Sequence, residues 1–358
     1  ERPLGECGAL WFIKDNLFDD FVFINGDLIF SIDFNKLIIF HRRLSSKLTL
    51  VTHTSDHPYD SDLVSSSNGN LVENIFIKGN QEKNVRNAYL GNSGIFVLNK
   101  KILNMIQPPK DYESKSIFHY IVKNIFNLNR NVYSYNTSEY IKDMGTPKRL
   151  SRVIDDINSG KVKSLKKETP KIAIFIDRDG TINKEVGHLN DIEKFELLDG
   201  VCEAICKINE SGILAVVVTN QPVIARGDLD ESDLEIIHNK MDTLLGIDGA
   251  YIDRLYYCPH HTDSGFEGEI KSLKFDCECR KPKIGMFMQA KKDLNIIIEK
   301  SWVIGDSTRD IQAANNAGMK SVLVETGFGG KDESYEVKPS YVAKNLRDAV
   351  KKILSEIK

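Results

Sequence analysis

Residues 171–181 read KIAIFIDRDGT: an isoleucine-rich apolar run that stops at two aspartates flanking one arginine, then a glycine and a threonine. A run this short, with no polar alternation, predicts a strand buried on both faces, as strands of parallel sheets are. Downstream, residues 213–219 (ILAVVVT) repeat the pattern, and residues 301–305 and 320–324 supply two more such runs. The stretch between the first two, residues 200–211, carries Val201, Ala204, Ile205 and Ile208 at three-to-four spacing, which predicts a helix with one apolar face. Further helices are predicted at residues 286–294, 308–317 and 343–357. Strand and helix alternate, so the expected fold class is α/β with a doubly wound parallel sheet. Ligands bind such sheets beyond the carboxyl ends of the strands, which is where the polar motifs stand.

The chain has 358 residues, enough for two domains with separate cores. Residues 155–170 are polar and lysine-rich, with Gly160 and Pro170, and are expected to link an N-terminal α/β domain (1–154) to a C-terminal one (171–358). A hydrophobic fraction of 41%, 28% charged residues and a net charge of -3 describe a soluble protein with no surplus of positive charge for nucleic acid. No stretch approaches the roughly 18–20 apolar residues of a membrane helix, and no signal pattern opens the chain, so a cytoplasmic location without membrane partners is expected. The chain starts at Glu1 rather than methionine, which raises the expectation of a longer natural protein.

The aspartates after the first strand suit phosphoryl chemistry. Asp177 can attack phosphorus, and Asp179, two residues on, can protonate the leaving oxygen and later activate water, while Gly180 lets the backbone turn tightly. Thr219 and Asn220 end the second strand with a hydroxyl and an amide suited to phosphate oxygens. Arg280-Lys281-Pro282 offers a fixed cation, and Gly305-Asp306-Ser307-Thr308-Arg309-Asp310 brings hard oxygen ligands for magnesium. Asp310 has two readings of equal weight, a metal-site acid or a helix residue that steadies the loop. Arg178 and Arg309 are read as solvated.

Taken in order, DxDGT, TN, RKP and GDSxxD resemble the haloacid dehalogenase superfamily of phosphatases. The resemblance implies that Asp177 is the nucleophile and Asp179 the acid/base. It further implies that Thr219 and Lys281 hold the phosphoryl group, and that Asp306, Asp177 and the Asp179 carbonyl bind Mg2+. Cys258-Pro259-His260 and Cys277-Glu278-Cys279 add two short ligand pairs, together the Cys3His set of a closed structural Zn2+ site; His261 is read as a bystander. Such a site pins a long loop as one wall of the pocket and does no chemistry.

Together with Gly187-His188, residues 195–200 (FELLDG) and Ala225-Arg226-Gly227, this loop makes residues 172–330 resemble the D,D-heptose 1,7-bisphosphate phosphatases. That resemblance implies a small sugar-phosphate substrate held by Arg226, Arg280 and Lys281, with loss of the C7 phosphate. One departure is visible: Asn220-Gln221-Pro222-Val223 stands where the family has Asn-Gln-Ser-Gly. Histidinol-phosphate phosphatases share the catalytic motifs and the zinc loop and are the alternative. A polynucleotide-end phosphatase would want a basic groove, which a net charge of -3 does not favour.

In the N-terminal part, FVFIN (21–25), LTLVTHT (48–54), GIFVL (94–98) and VYSY (132–135) predict strands, and residues 34–42 and 116–126 predict helices. PLGECGAL (3–10), FINGD (23–27), GNSGI (91–95) and IKDMGTP (141–147) resemble sugar-phosphate nucleotidyltransferases, in particular heptose 1-phosphate guanylyltransferase. The resemblance implies a nucleoside triphosphate partner, with Gly8 against the base, Asp27 and Asp143 on magnesium, and Lys78 and Asn92 as further contacts. The family's glycine-rich triphosphate loop is not in this sequence, and its Glu-Lys-Pro reads Ile77-Lys78-Gly79. A non-catalytic binding module is therefore the competing expectation for this half.

Overall fold

The computed structural model describes residues 5–55, 60–66, 70–78, 90–105, 117–129 and 131–357. Pro3, Leu4 and Ser116, which enter the motif and helix expectations above, lie outside these. The chain divides into two compact units, Glu1–Lys166 and Lys167–Lys358.

The first unit opens with α1 (Gly5–Ile13), β1 (Asp20–Ile24), β2 (Leu28–Ser31) and α2 (Phe34–Arg43), whose first turn is capped by Asp33 accepting from the Lys36 amide at 3.1 Å. Then follow β3 (Leu48–Thr54), β4 (Leu63–Ser66), β5 (Val72–Phe76), β6 (Leu90–Asn99), α3 (Lys123–Asn129), β7 (Val132–Asn136) and β8 (Tyr140–Asp143). The main sheet runs β5-β4-β6-β3-β7, with β1 also on β6, and β2 pairs with β8 in a separate ribbon. β3 and β7 are parallel; the remaining pairs of this unit are antiparallel. The helix expected from residue 116 begins as a π turn, Phe118–Val122, and passes into α3.

The expected linker is largely helical. α4 (Pro147–Asn158) and α5 (Lys161–Ser164) occupy much of residues 155–170. Thr146 caps α4 by accepting from the Arg149 amide at 3.3 Å, Pro147 takes the first position where it loses no hydrogen bond, and Tyr140 donates to Asp156 at 2.9 Å. The lysine-rich composition of residues 155–170 marked this stretch as a connector, and the helical spacing of Leu150, Val153, Ile154 and Ile157, which begins ahead of those lysines, was passed over.

The second unit contains β9 (Ala173–Ile176), α6 (Val201–Ser211), β10 (Leu214–Asn220), α7 (Val223–Arg226), α8 (Glu231–Ile247), β11 (Arg254–Cys258), α9 (Gly285–Leu294), β12 (Trp302–Gly305), α10 (Thr308–Ala317), β13 (Lys320–Val324), β14 (Tyr341–Ala343) and α11 (Leu346–Ile357). Its six strands are all parallel, in the order β11-β10-β9-β12-β13-β14. Ile174, Ile176, Ala215, Val217 and Ile304 pack with Val201, Ile205 and Ile208 of α6 and Val350 and Ile353 of α11 in one core. Phe175, on the alternate face of β9, meets Phe287 of α9 with ring centroids 4.9 Å apart. Both faces are covered, as the unbroken apolar runs require. The chain winds outward through β10 and β11 on one side of β9 and through β12 to β14 on the other, so a topological switch lies between β9 and β12. β11 and β14 were not anticipated.

Candidate active site

The segment from Asp177 to Asn183 leaves β9 at that switch and closes on itself. The Arg178 carbonyl accepts from the amides of Thr181, Ile182 and Asn183 at 3.3, 2.8 and 3.1 Å, and the Gly180 amide donates to the Asn183 carbonyl at 2.8 Å. Gly180 has φ +75°, and a Cβ there would lie 2.1 Å from Asp306 Oδ2, so neither the backbone nor the space admits a side chain.

Asp177 Oδ1 accepts from the Arg178 amide at 2.8 Å and faces Lys281 Nζ at 2.8 Å. Lys281, buried to 3% exposure, also reaches Asp310 Oδ1 at 2.6 Å and donates to the Val218 carbonyl at 2.9 Å. Asp306, after β12, accepts the Phe328 amide on Oδ2 at 2.7 Å. Ligand oxygens of Asp177, Asp306 and Asp310 lie within 4.8 Å of one another. Burial, and then the neighbouring Asp310, raise the Asp177 carboxyl to about 7; burial, Asp177 and Asp310 raise Asp306 to about 8. Burial alone would lower Lys281, but Asp177 and Asp310 outweigh it and raise it. Three buried acids thus share one ammonium, an excess of negative charge that a divalent cation with oxygen ligands would neutralise. Asp310 steadies the loop, the second of its expected readings: Oδ2 accepts from the Ser307 amide and hydroxyl at 3.2 and 2.7 Å, while Oδ1 pairs with Lys281.

Asp179 is gripped from three directions. Arg178 Nε and Nη2 reach its Oδ1 at 3.2 and 2.9 Å and Nη2 its Oδ2 at 2.9 Å, Asn183 donates to Oδ1 at 2.9 Å, and Gln221 donates to Oδ2 at 2.8 Å. Burial would raise this carboxyl, but Arg178 and the amides of Asn183 and Gln221 hold it below the ordinary carboxylate value. Arg178, expected to be solvated, is instead fully buried, and its Nη1 meets His238 Nε2 at 3.0 Å. The Gln221 amide also donates to Thr219 Oγ1 at 2.8 Å. Asn220 does not spend its amide on the pocket: it exchanges two hydrogen bonds with the Lys281 backbone, at 3.1 and 3.0 Å, and so places that lysine. Arg178, Asn183, Gln221 and His238 escaped the sequence reading; only the D-R-D and N-Q spellings hinted at the first and third.

Asp177, Asp179, Thr219, Asn220, Lys281 and Asp306 floor a cavity of about 330 Å3 whose walls include Glu185, His188, Arg226, His261, Arg280 and Arg309, a volume at the small end of small-molecule sites. Arg226 lies over the Phe266 ring, 3.9 Å from its centroid, and its Nη1 meets His188 Nε2 at 2.7 Å. Arg280 donates to the His260 carbonyl at 3.2 Å, which ties it to a cluster of Cys258, His260, Cys277 and Cys279. The sulfurs of that cluster are 3.2–3.5 Å apart, and His260 Nδ1 is 3.2 Å from Cys279. A tetrahedral zinc–thiolate centre has edges of about 3.8 Å, so the donors converge as a single soft-ligand metal site would need. His261 is outside the cluster, yet its side chain lines the cavity.

In the first unit Asp27, Lys78, Asn92 and Asp143 line a second cavity of about 260 Å3 with His53 and Asp60. Gly8 is buried in α1 and is not among its lining residues. Arg149, which the sequence did not flag, pairs with Asp143 at 2.9 Å and Asp60 at 3.1 Å; Lys78 also pairs with Asp60.

Comparison with known proteins matches a nucleotidyl transferase family over residues 4–160 and a HAD-hydrolase-like family over residues 278–349. The D-glycero-beta-D-manno-heptose-1,7-bisphosphate 7-phosphatase of Haemophilus ducreyi is 42% identical over 182 residues, 50% of this chain and 97% of that protein. Its counterpart in Pasteurella multocida is 41% identical over 184 residues, 51% of this chain and 97% of its own. Through its second unit the chain belongs to this phosphatase family. A solved D,D-heptose 1,7-bisphosphate phosphatase from B. bronchiseptica, complexed with magnesium and phosphate, is 30% identical over 52% of this chain and 99% of that one, with a TM-score of 0.46. The protein is thus a hydrolase through its second unit, and the nucleotidyl transferase match lies in its first. No described helix is long and apolar enough to cross a membrane.

Proposed function

We propose that the second unit hydrolyses the C7 phosphate of D-glycero-D-manno-heptose 1,7-bisphosphate through an aspartyl-phosphate on Asp177. The observation that carries this reading is the convergence of Asp177, Asp179, Thr219, Lys281 and Asp306 on one cavity with three arginines in its walls. The Asp177 carboxylate attacks phosphorus, the ester P–O bond breaks, and Asp179 gives its proton to the departing C7 oxygen. Asp179 then takes a proton from water as that water attacks phosphorus and releases Asp177 and inorganic phosphate. Lys281 and Thr219 hold the phosphoryl oxygens, and Asn220 keeps Lys281 in place. Asp177, Asp306 and the Asp179 carbonyl would hold magnesium, which would supply charge neutralisation for the phosphoryl group. Cys258, His260, Cys277 and Cys279 would hold a structural zinc, and the His260 carbonyl anchors Arg280 in the wall.

Arg226, Arg280 and Arg309 favour a substrate with a second anionic group over histidinol phosphate, whose far end is an amine and an imidazole. The product, a heptose 1-phosphate, is the chemical class a sugar-phosphate nucleotidyltransferase consumes, so the first unit would transfer a guanylyl group to it in the cytoplasm, toward cell-surface glycan. Phosphate release from heptose 1,7-bisphosphate and histidinol phosphate, with magnesium and with Asp177→Asn as the blank, tests the reading. Preference for the heptose supports it, and preference for histidinol phosphate overturns it. Incubation of the full chain with heptose 1-phosphate and GTP tests the first unit; absence of GDP-heptose would leave it a binding module.

A further inference from the structure

Arg178 heads the wholly buried side chains by volume among the described residues, and a guanidinium out of water demands partners for its donors. Three of its contacts go to Asp179, through Nε and Nη2. The remaining arm, Nη1, points to His238 Nε2 at 3.0 Å. Arginine has no acceptor, so Nε2 must be the acceptor and the ring is neutral, with its proton on Nδ1. His238 stands in the middle of α8, 6% exposed, its ring 5.8 Å from that of Tyr257 on β11. It takes no part in the phosphoryl steps above, and it does not line the cavity. Its one polar contact described here is the anchor for the guanidinium that grips the acid/base.

We propose that Arg178 and His238 are positioning residues for the leaving-group proton: His238 fixes the guanidinium, and the guanidinium fixes the Asp179 carboxyl at the ester oxygen. The inference rests on the roles of Asp177 and Asp179 given above and adds the support beneath them. In the step concerned, Asp179, whose two oxygens accept from Arg178, Asn183 and Gln221 at rest, first takes up a proton from solvent; the bond from Asp177 to phosphorus then forms, the ester P–O bond breaks, and that proton passes to the leaving alkoxide, while Arg178 and His238 exchange no proton. An alkoxide needs that proton, whereas a nitrophenolate departs without it. Misplacement of Asp179 therefore damages alkyl ester cleavage selectively, which loosening of the fold would not do.

The test uses the full chain with its metals and compares kcat/KM, which covers steps through leaving-group departure. Substrates are p-nitrophenyl phosphate and whichever alkyl ester, heptose 1,7-bisphosphate or histidinol phosphate, the wild type cleaves better. His238→Leu is expected to lose about 10- to 100-fold on the alkyl ester and less than about 3-fold on the aryl ester. His238→Gln, whose amide oxygen can accept from Arg178, regains most of the loss, and Arg178→Lys repeats the selective defect. Equal losses on both substrates, or no loss on the alkyl ester, overturn the proposal. Asp179→Asn, run alongside, separates the layers: if it spares alkyl hydrolysis, the role of Asp179 falls and the proposal with it. If it abolishes alkyl hydrolysis while His238→Leu does not, the positioning proposal alone falls.

Discussion

Replacing Lys281 with methionine keeps the side-chain length and removes the one ammonium that, among the described residues, pairs with Asp177 and Asp310, at 2.8 and 2.6 Å. The acids left behind have ligand oxygens within 4.8 Å of one another. At that distance and an effective dielectric of about 20, two unit charges repel by 332/(20 × 4.8), about 3.5 kcal/mol, which agrees with the roughly 3–5 kcal/mol found when one member of a buried ion pair is deleted. For a domain of this size that corresponds to a fall in Tm of about 7–14 °C. Calorimetry in magnesium-free buffer, with zinc retained, should show the phosphatase transition lowered by this amount, and added magnesium should recover part of it by neutralising the same charges. Turnover should fall at least about 100-fold even with magnesium saturating, because a preorganised cation at the phosphoryl group is gone. A variant that melts within about 1 °C of the wild type, or keeps a third of its kcat, would refute the account of Lys281 as the counter-charge of the site.

Gly180→Ala forces a Cβ to within 2.1 Å of Asp306 Oδ2 at a backbone φ of +75°; kcat/KM should drop at least about 100-fold, measured by phosphate release, with the zinc content unchanged. Cys279→Ser should lower bound zinc in a metal analysis and raise KM for the bisphosphate about 10-fold, since Arg280 hangs on the His260 carbonyl at 3.2 Å; an unchanged KM would sever the zinc cluster from substrate binding. Burial raises the Asp242 carboxyl to about 8, and its Oδ1 has no hydrogen-bond partner. Its folded-state value lies above the unfolded one, so the stability it contributes is complete below about pH 4 and is lost as pH rises toward about 8. Asp242→Asn should therefore stabilise the protein by an amount that grows across that window and levels off above it, read from denaturant unfolding at several pH values.

The central strands of the phosphatase unit were legible because each is an unbroken apolar run, and only burial on both faces tolerates such a run. β11 and β14 were not: RLYYC is only half-buried over most of its length and YVA is a short strand at the sheet edge, so neither carries that signature. The acids and the threonine of the candidate site could be picked out because they stand at or just after strand ends, and the lysine because it sits in a short Arg-Lys-Pro spelling in the loop before α9. Their supports could not. Arg178 meets His238 across 60 positions of sequence, and Asn220 meets Lys281 across 61, distances over which no periodicity speaks. In α4 the spacing of Leu150, Val153, Ile154 and Ile157 went unread because the polar, lysine-rich composition of residues 155–170 marked the stretch as a connector. In the first unit Arg149 joins Asp143 and Asp60 only once β8 and α4 are folded together.

The closed turn from Asp177 to Asn183 is stitched by its own backbone and carries the proposed nucleophile and acid/base, Asp177 and Asp179, within three residues. The walls of the cavity come from elsewhere: Glu185, Gly187 and His188, Arg226 where it lies over Phe266, and Arg280 beside the cysteine–histidine cluster. The turn and the wall segments at residues 185–188 and 226 are therefore written in separable stretches of the gene, whereas Arg280 and Arg309 adjoin Lys281 and Asp310. Insertions or exchanges in the wall loops can retune which phosphate ester is admitted while the bond-breaking apparatus is inherited intact, so a descendant could acquire a new substrate without passing through an inactive ancestor.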